Sequence, residues 1–492
     1  MKNETQAKVR PWQAVLLPLV AALVLAGCAT AKVEAPSFEA PAQFKEQAAA
    51  PRDGTWTRAQ PAEAQARGEW WRAFNDPVLD KLIERADARN TNIQAAAARL
   101  AEARASARSA EADRSPQVGV VAGGVRSAGL DRNLSPRPST LLQAGVAASY
   151  ELDLFGKLSK ASQAAQLDAD AREGLLQSTR LLVEAETAQT YLQLRAVDAE
   201  RALVRDTVEA YRDTLKLTQT RQRAGDVAEL DVARVETEVA STESDALTLD
   251  RRRAELEHAL AVLAGDAASD FGVNTDEWAT ALPTIPAGVP ATVLTRRPDI
   301  SAAQKSVMAA QARVGVAQTA WFPDISLTAG GGYASQDLSD LFKWSAKSWG
   351  IGALLNLPIF DGGRREAGVQ SASAQLDGAL ASYRSQVLVA FKEVEDQLSS
   401  LRILEQQADV QAKAVTSASR ATTLSDSRYR NGIVSQLDLL DARRQELANR
   451  RQALQVRSAQ YQATVGLIRA LGGSWDVKVA AAAPGDQAVA AR

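Results

Sequence analysis

The sequence contains one long internal repeat. Landmarks near residues 115–265 recur in the same order near residues 322–473, at an offset of 205 to 208 residues. Arg-Ala-Gly ending at Gly225 corresponds to Arg-Asn-Gly ending at Gly432, and each is followed five residues later by leucine and then aspartate. A long period that occurs only twice indicates a duplicated half-domain, not a solenoid of small units.

Composition argues against several functional classes. The 492 residues carry a net charge of −2, without the basic surplus that a nucleic-acid-binding protein normally has. The single histidine, His258, lies in a helical stretch and argues against a histidine-based metal site or a catalytic triad. No nucleophile elbow, metal-ligand spacing or phosphate loop is found. We therefore expect neither an enzyme nor a cofactor.

The N-terminus has the pattern of a bacterial lipoprotein signal. Basic residues precede an apolar run from Trp12 to Ala26 that is short for a membrane span. The run ends in Leu-Ala-Gly-Cys at Cys28, the only cysteine of the chain. We predict a signal peptide over 1–27 and lipidation at Cys28, with several acyl chains giving stable membrane attachment. Residues 28–68 contain four spaced prolines and alanines, which predicts an extended lipidated tether.

Long helices dominate the rest of the chain. Apolar residues at spacings of three and four, among good helix formers, predict helices at 76–113, 160–222, 229–263, 298–320, 364–430 and 436–470. At 1.5 Å per residue the two longest would each span about 95 to 100 Å, too long for a compact globule. We therefore expect an elongated layout with tight turns, which we call the tips, at 223–229 and 430–436.

Four segments alternate between apolar and small or polar residues instead. They cover 117–126, 141–154, 324–333 and 349–359, with aromatic residues near their ends. This period of two and length near ten are typical of transmembrane β-strands. Four strands cannot close a barrel, and an open edge would leave backbone groups unsatisfied in a bilayer. If the strands enter a membrane, the chain must therefore oligomerise.

Several motifs resemble the outer membrane factor family, the exit ducts of tripartite efflux pumps, and within it the lipoprotein branch often labelled NodT. The motifs are Trp-Trp-Arg-Ala-Phe-Asn-Asp-Pro at 70–77, Arg-Arg-Pro-Asp-Ile at 296–300, Ala-Gln-Thr-Ala-Trp-Phe-Pro at 317–323 and Phe-Asp-Gly-Gly-Arg at 360–364. The resemblance covers roughly residues 65–475.

The resemblance implies a TolC-like protomer, mainly α with a transmembrane β part: two β-hairpins and long coiled-coil helices. A homotrimer would form a twelve-stranded outer-membrane β-barrel and a periplasmic α-barrel. The partners implied are a periplasmic adaptor, an inner-membrane transporter and outer-membrane lipid. A type I secretion duct has the same architecture and remains an alternative. A lipid-anchored periplasmic coiled-coil scaffold would explain Cys28 and the helices, but not the strands.

Site residues are also implied by the resemblance. Gly225, Leu230, Gly432 and Leu437 match the tip loops that adaptors grip. Asp438 and Asp441 match the carboxylates that constrict the closed periplasmic entrance; the alternative is two solvated charges on a long helix.

Two further tip residues, Tyr429 and Asp231, match positions that link neighbouring tip helices in the closed state. A third, basic partner is replaced by Val434 here, so we expect Arg428 or Arg430 to substitute for it.

The predicted organisation follows the repeat. The segments are a signal peptide (1–27), a lipidated tether (28–68), a first repeat of helix, β-hairpin and helical hairpin (69–282), an equivalent second repeat (283–475), and a disordered tail (476–492).

Overall fold

The structure is a computed structural model that describes residues 33–38, 40, 41, 43–46, 68–128, 138–283, 285 and 296–473. The predicted signal peptide, Cys28 and the tail over 476–492 lie outside the described residues. The chain forms two compact units. The first contains Met1–Ser37, Leu100–Arg172 and Ala303–Tyr383, and the second contains Phe38–Arg99, Glu173–Ala302 and Arg384–Arg492.

Seven α-helices occur in the described part of the chain. They are α1 (Pro77–Arg89), α2 (Thr91–Ala112), α3 (Lys157–Arg223), α4 (Glu229–Ala264), α5 (Pro298–Thr319), α6 (Arg364–Arg430) and α7 (Gln436–Ala470). The two longest, α3 and α6, have 67 residues each, about 100 Å at 1.5 Å per residue. The predicted long helices are thus confirmed, with ends that differ by three residues or fewer. None of the described helices is apolar over a stretch long enough to cross a membrane.

One predicted helix is wrong in detail, because residues 76–113 form two helices that meet at Asn90. The backbone of Asn90 is extended (φ −62°, ψ 128°), which ends α1. Its side-chain oxygen accepts hydrogen bonds from the N–H groups of Asn92 (2.9 Å) and Ile93, the geometry of an N-cap for α2. Its amide nitrogen donates to the carbonyl of Leu263, at 2.9 Å. A single buried asparagine therefore separates the two helices.

Asp76 organises the core of the second unit around the start of α1. It caps α1 by accepting from the N–H groups of Val78 and Leu79, as the Asp-Pro pair predicts. The same carboxylate accepts from the hydroxyls of Tyr191 (2.9 Å) and Thr280 (2.7 Å). Because these groups come from α1, α3 and the segment after α4, one side chain joins three parts of this unit.

The first unit contains a four-stranded antiparallel sheet in the order β1-β2-β3-β4. The strands are β1 (Gln117–Ser127), β2 (Ser139–Leu152), β3 (Asp324–Ser335) and β4 (Lys347–Asn356). The two predicted hairpins therefore pair with each other through β2 and β3, where Leu152 lies opposite Ile325. This arrangement of long helices with one small four-stranded sheet confirms the predicted fold class of the protomer.

The two faces of the sheet differ in side-chain size. On one face the cross-strand row Gly119, Ala147, Gly330 and Gly350 contains only glycine and alanine. On the other face the adjacent row contains Val120, Val146, Gly331 and Trp349. The sheet thus has one face of small and polar residues and one apolar face, as the alternation predicts.

Two glycines in the middle of the sheet allow close backbone approach between β2 and β3. A Cβ on Gly145 would lie 2.6 Å from the carbonyl oxygen of Gly331, and a Cβ on Gly332 would collide with the carbonyl oxygen of Ala144. Gly350, in contrast, has nothing within 4 Å of the same position. The tight pairing at this point therefore requires glycine.

We predict that Gly332→Ala lowers the free energy of unfolding by about 1–3 kcal/mol, the usual cost of forcing an extra methyl group into a packed site. Chemical denaturation of the detergent-purified protein measures the change. Gly350→Ala, on the neighbouring strand, is the matched control and should change stability by less than about 0.5 kcal/mol. Equal effects of the two substitutions would contradict the role of close approach.

Candidate functional site

The tips that the sequence predicts are two turns of closely similar geometry. One joins α3 to α4 through Gly225 (φ 85°), and the other joins α6 to α7 through Gly432 (φ 69°). In the first, Gly225 N–H donates to Gln222 and Asp226 N–H donates to Arg221. Gly432 and Ile433 repeat the pattern on Tyr429 and Arg428. Both are Schellman motifs, which need a residue with positive φ and so favour glycine.

The two tips differ at the start of the returning helix. Ala228 begins α4 without a side-chain cap, whereas Ser435 and Asp438 form a reciprocal capping box on α7. The carboxylate of Asp438 accepts from the hydroxyl (2.6 Å) and the N–H (3.0 Å) of Ser435. These hydrogen bonds lower the pKa of Asp438 below its ordinary value. Asp438 therefore stabilises α7 at neutral pH, and that contribution is lost only as the pH falls through the lowered pKa.

Asp438 and Asp441 lie on the exposed side of α7, three residues apart, so they share a helix face. The next two residues after Asp438, Leu439 and Leu440, are buried on the opposite side. Leu440 packs with Tyr211 of α3 and Val235 of α4. Burial raises the pKa of Tyr211 to about 12, so its hydroxyl stays neutral. This apolar contact fixes which face of α7 presents the two carboxylates to solvent.

Tyr429 is buried between the two helical hairpins, α3–α4 and α6–α7. Its hydroxyl donates to the side-chain oxygen of Gln436 at 3.1 Å and lies 3.5 Å from the hydroxyl of Thr218. Thr218 itself lies 3.1 Å from the same Gln436 oxygen. A small polar cluster of Tyr429, Gln436 and Thr218 thus joins α3, α6 and α7.

Arg221 is the residue that holds the two tips together from the α3 side. Its guanidinium lies over the ring of Tyr429, 4.8 Å from the centroid. It also donates to the carbonyl oxygens of Tyr429 (3.4 Å) and Arg430 (3.3 Å). These carbonyls belong to the last turn of α6, where a cation is favoured. Arg221 therefore combines a cation–π contact with a C-terminal helix cap.

The linking residues that the resemblance implies take other partners within one chain. Asp231 pairs with Arg234 on its own helix, at 3.6 Å, and Arg430 pairs with Asp426 on α6, at 2.8 Å. No hydrogen bond joins Tyr429 to Asp231 among the residues that the structure describes. Within one chain, the arginine that contacts Tyr429 is Arg221, and the basic role expected of Arg428 or Arg430 between neighbouring tips stays a prediction. Sequence reasoning missed Arg221, because nothing in the spacing of α3 indicates which face meets α6.

Arginines of α7 extend the contact between the hairpins. Arg443 donates to the carbonyl of Ala210 (2.9 Å) and to Thr214 on α3. Arg444 binds Glu238 on α4. Arg451 binds Glu200 of α3 (2.7 Å) and Asp245 of α4 (3.0 Å). The second hairpin is therefore joined to the first by charge-assisted hydrogen bonds along α7, starting one turn beyond Asp438.

Leucines at equivalent positions of the two tips point into solvent. Leu230 is 59% exposed and Leu437 is 49% exposed, although each is only one residue away from the start of its helix. Ile433, beside Gly432, is 70% exposed. Exposed aliphatic residues grouped with glycine turns are typical of interaction surfaces. The predicted docking residues Gly225, Leu230, Gly432 and Leu437 are thus all at the accessible ends of the hairpins.

Comparison with known proteins decides the family. The model of the outer membrane efflux protein family matches residues 82–266 and 289–473, two ranges 207 residues apart that correspond to the two repeats. The chain belongs to the outer membrane efflux protein family. Its members are efflux proteins of the outer membrane.

Relatives match over nearly the full length of this protein. The solvent efflux pump outer membrane protein SrpC of Pseudomonas putida is 32% identical over 474 residues, which cover 94% of this chain and 98% of SrpC. The cation efflux system protein CusC of Escherichia coli is 31% identical over 470 residues, with 94% and 98% covered. The solved outer-membrane channel OprN is similar with a TM-score of 0.81 at 29% identity, covering 90% of this efflux protein and 100% of OprN.

We predict that Arg221→Gln speeds hydrogen exchange at the tips about tenfold or more. Loss of the cation–π contact and of two hydrogen bonds from a charged group should lower the free energy of local opening by about 1–3 kcal/mol. Arg223→Gln is the matched control, because Arg223 is exposed and, among the residues that the structure describes, bonds within α3 to Gln219 and Thr220. Exchange at residues 425–440 that is equally slow in both variants would show that Arg221 does not hold the tips.

Proposed function

We propose that the protein is the outer-membrane exit duct of a tripartite efflux pump and works as a homotrimer. In this proposal a periplasmic adaptor docks at the tips and joins the duct to an inner-membrane transporter. Cys28 carries the lipid anchor in the outer membrane. The two repeats, 69–282 and 283–475, supply equivalent halves of each protomer. The single observation that carries the proposal is the open four-stranded sheet in a chain of this family.

The sheet has two edge strands, and their unpaired backbone groups would be unstable in lipid. β1 and β4 are the outer strands of the order β1-β2-β3-β4, and every residue of both is exposed. Apolar side chains such as Trp349 and Ile351 are about 80% exposed on β4. An unpaired backbone group in hydrocarbon costs several kcal/mol, so β4 of one copy must pair with β1 of the next. Three copies close a twelve-stranded barrel.

Exposed apolar stripes on the long helices support side-by-side association of the same copies. Val389, Ile403, Val410 and Leu424 of α6 are exposed and lie at multiples of seven residues. Leu175, Leu182 and Leu217 of α3 are exposed at multiples of seven as well. A period of seven is the repeat of coiled-coil packing. Both long helices of one protomer therefore have a face suited to the helices of its neighbours.

The gate in this proposal is formed by Asp438 and Asp441. Three-fold symmetry converts the pair on the exposed face of α7 into two rings of three carboxylates. Ionised rings in a narrow entrance repel one another and favour cations over anions. The closed state is held within each protomer by Arg221, Tyr429 and the arginines of α7, whereas Asp231, which is only partly buried, is available to link neighbouring tips. Adaptor binding at Leu230 and Leu437 would release these contacts and part the hairpins.

The cargo is small molecules that the transporter selects. SrpC is named for solvent efflux and CusC for cation efflux, yet both resemble this chain almost equally. Within the described residues, no group of three or more potential ligands suited to a metal ion is present. The small-residue face of the sheet, with its row of Gly119, Ala147, Gly330 and Gly350, suits a passage wall without a selective pocket.

We predict that the purified protein forms pores of low conductance in planar bilayers, and that Asp438→Ala combined with Asp441→Ala raises that conductance several-fold. Removing the carboxylate rings should also weaken block by divalent cations. Asp409→Ala combined with Glu405→Ala is the matched control, because it removes two exposed acidic residues of α6. A second control, Ser435→Ala, breaks the capping box and keeps both carboxylates.

Each outcome of this experiment bears on a different part of the proposal. Unchanged conductance and unchanged divalent block in the double variant would overturn the gate. An equal rise in Ser435→Ala would assign the effect to the helix cap instead of the carboxylates. Absence of any pore would overturn the duct itself.

A further inference from the structure

The connection between β3 and β4 carries three large apolar side chains on its surface. We call residues 336–346 the β3–β4 loop. Leu338, Phe342 and Trp344 are 72%, 70% and 80% exposed. Leu341, in contrast, is only 6% exposed, so the loop has a small buried centre of its own. Three large exposed apolar residues within one short loop form a patch, which differs from the scattered single exposure of an ordinary surface.

The β3–β4 loop is ordered by contacts within itself. Two 3₁₀ turns shape it. The carbonyl of Asp340 accepts from the N–H of Lys343 at 3.0 Å, and the carboxylate of Asp340 pairs with the ammonium of Lys343 at 2.6 Å. The N–H of Ala346 donates to the carbonyl of Lys343 at 2.9 Å. The N–H of Asp337 donates to the hydroxyl of Ser335 at 3.2 Å. The exposed side chains are therefore held in one arrangement instead of being spread along a random loop.

Two contacts place the loop on the apolar face of the sheet. The ring of Phe342 meets the ring of Tyr333 edge to face, with centroids 5.8 Å apart. The ammonium of Lys347 lies over the ring of Trp344. Tyr333 and Lys347 lie opposite each other in the register, two residues along the strands from the pair that contains Trp349. Because successive residues of a strand alternate between faces, both pairs lie on the face that carries Trp349.

The loop thus continues a surface that is suited to lipid. Trp349 and Ile351 on the apolar face are 79% and 81% exposed. In a family of outer-membrane proteins, the apolar face of such a sheet is the one that meets acyl chains. Aromatic side chains are favoured where acyl chains end and headgroups begin. The loop and the first residue of β4 also carry charged groups of both signs, which suit the headgroup level: Asp337, Asp340, Lys343 and Lys347.

We propose that the β3–β4 loop is a lipid-docking surface that inserts Leu338, Phe342 and Trp344 among the acyl chains of the outer leaflet of the outer membrane. The loop lies at the strand ends away from the helices, because α5 leads into β3 and β4 leads on to α6. The inference rests on the proposed function, which puts those helices in the periplasm. Since the loop leans outward, it leaves the mouth of the passage uncovered and is not a lid.

Spin labels test which medium surrounds the loop. In a Cys28→Ser background, which removes the only cysteine, a nitroxide is attached at Leu338→Cys or Phe342→Cys in the full chain reconstituted into phospholipid bilayers. We expect collisions with oxygen, which concentrates in lipid, to exceed collisions with a water-soluble nickel chelate several-fold. Ser348→Cys is the matched control, because Ser348 lies opposite Gly332 on the small-residue face, and it should show the reverse order.

Other collision patterns would overturn the inference. Preferential collision with the nickel chelate at positions 338 and 342 would mean that the loop lies in water. Low collision with both reagents would mean that the loop packs against a neighbouring copy.

Distances between the labels of one particle test whether the loops form a lid. Twelve strands about 4.8 Å apart and tilted by about 40° close a barrel about 24 Å across, so labels on its outside should lie more than about 25 Å apart. Dipolar spectroscopy of the Phe342→Cys label measures this separation. Labels that converge to within about 15 Å would show a lid over the mouth and contradict the inference, because a lid must span a barrel of that width.

The leaflet is tested on intact cells. A membrane-impermeant maleimide should react with Gln336→Cys, at the exposed start of the loop, without permeabilisation. Reaction only after the outer membrane is permeabilised would overturn the outer-leaflet placement. Failure of the proposed function is seen separately: a particle of one chain, without dipolar coupling, would overturn the trimeric duct, whereas the collision pattern would still report lipid around the loop.

Discussion

The unpaired backbone edges of the four-stranded sheet determine how this molecule can exist in a membrane. β1 and β4 present their N–H and C=O groups on their outer sides, and the apolar residues of β4 are exposed. In the outer membrane, where proteins of this family reside, no water can satisfy these groups, so the sheet is incomplete in one copy. The internal duplication provides two hairpins per chain, which reduces the number of copies needed to close the sheet. Each repeat supplies one hairpin, one very long helix and one tip, so the three copies of the proposed trimer would present six similar units around an axis.

The tips depend on a different kind of interaction, in which arginines join two hairpins that could otherwise separate. Arg221 caps α6 and covers Tyr429, while Arg443, Arg444 and Arg451 connect α7 to α3 and α4. These contacts are made at or near the surface, where each contributes only modestly, and they surround a small apolar cluster. A set of individually weak, charge-assisted contacts is compatible with the opening of the tips that we propose. Asp438 has two roles, since its carboxylate caps α7 and, in the proposed trimer, faces the entrance.

Most of the fold could be predicted from the sequence, because periodicity and turn residues act locally. Stripes of period 3.6 and 2 gave the helices and strands within a few residues, and Gly225 and Gly432 marked the turns. The break at Asn90 was missed because the capping asparagine is surrounded by good helix formers, and its buried contact with Leu263 is long-range. The partners of Tyr429 were missed for the same reason. Which face of α3 meets α6 depends on packing between segments about two hundred residues apart. The residues around Arg221 in the sequence do not indicate that it contacts Tyr429. The burial of Phe44 against Phe391 was missed as well, because the proline- and alanine-rich composition of residues 28–68 predicts only an extended tether.

One copy alone leaves the sheet incomplete in lipid, so the decisive measurement is the number of chains in the folded particle. Native mass spectrometry of the mature protein, extracted from membranes and released from a mild detergent, measures that number without any assumption about activity. We expect a particle of three chains that persists through dilution, because each copy would complete the sheet of the next. A folded single chain that is stable in lipid, or a particle of any other number of chains, would contradict it.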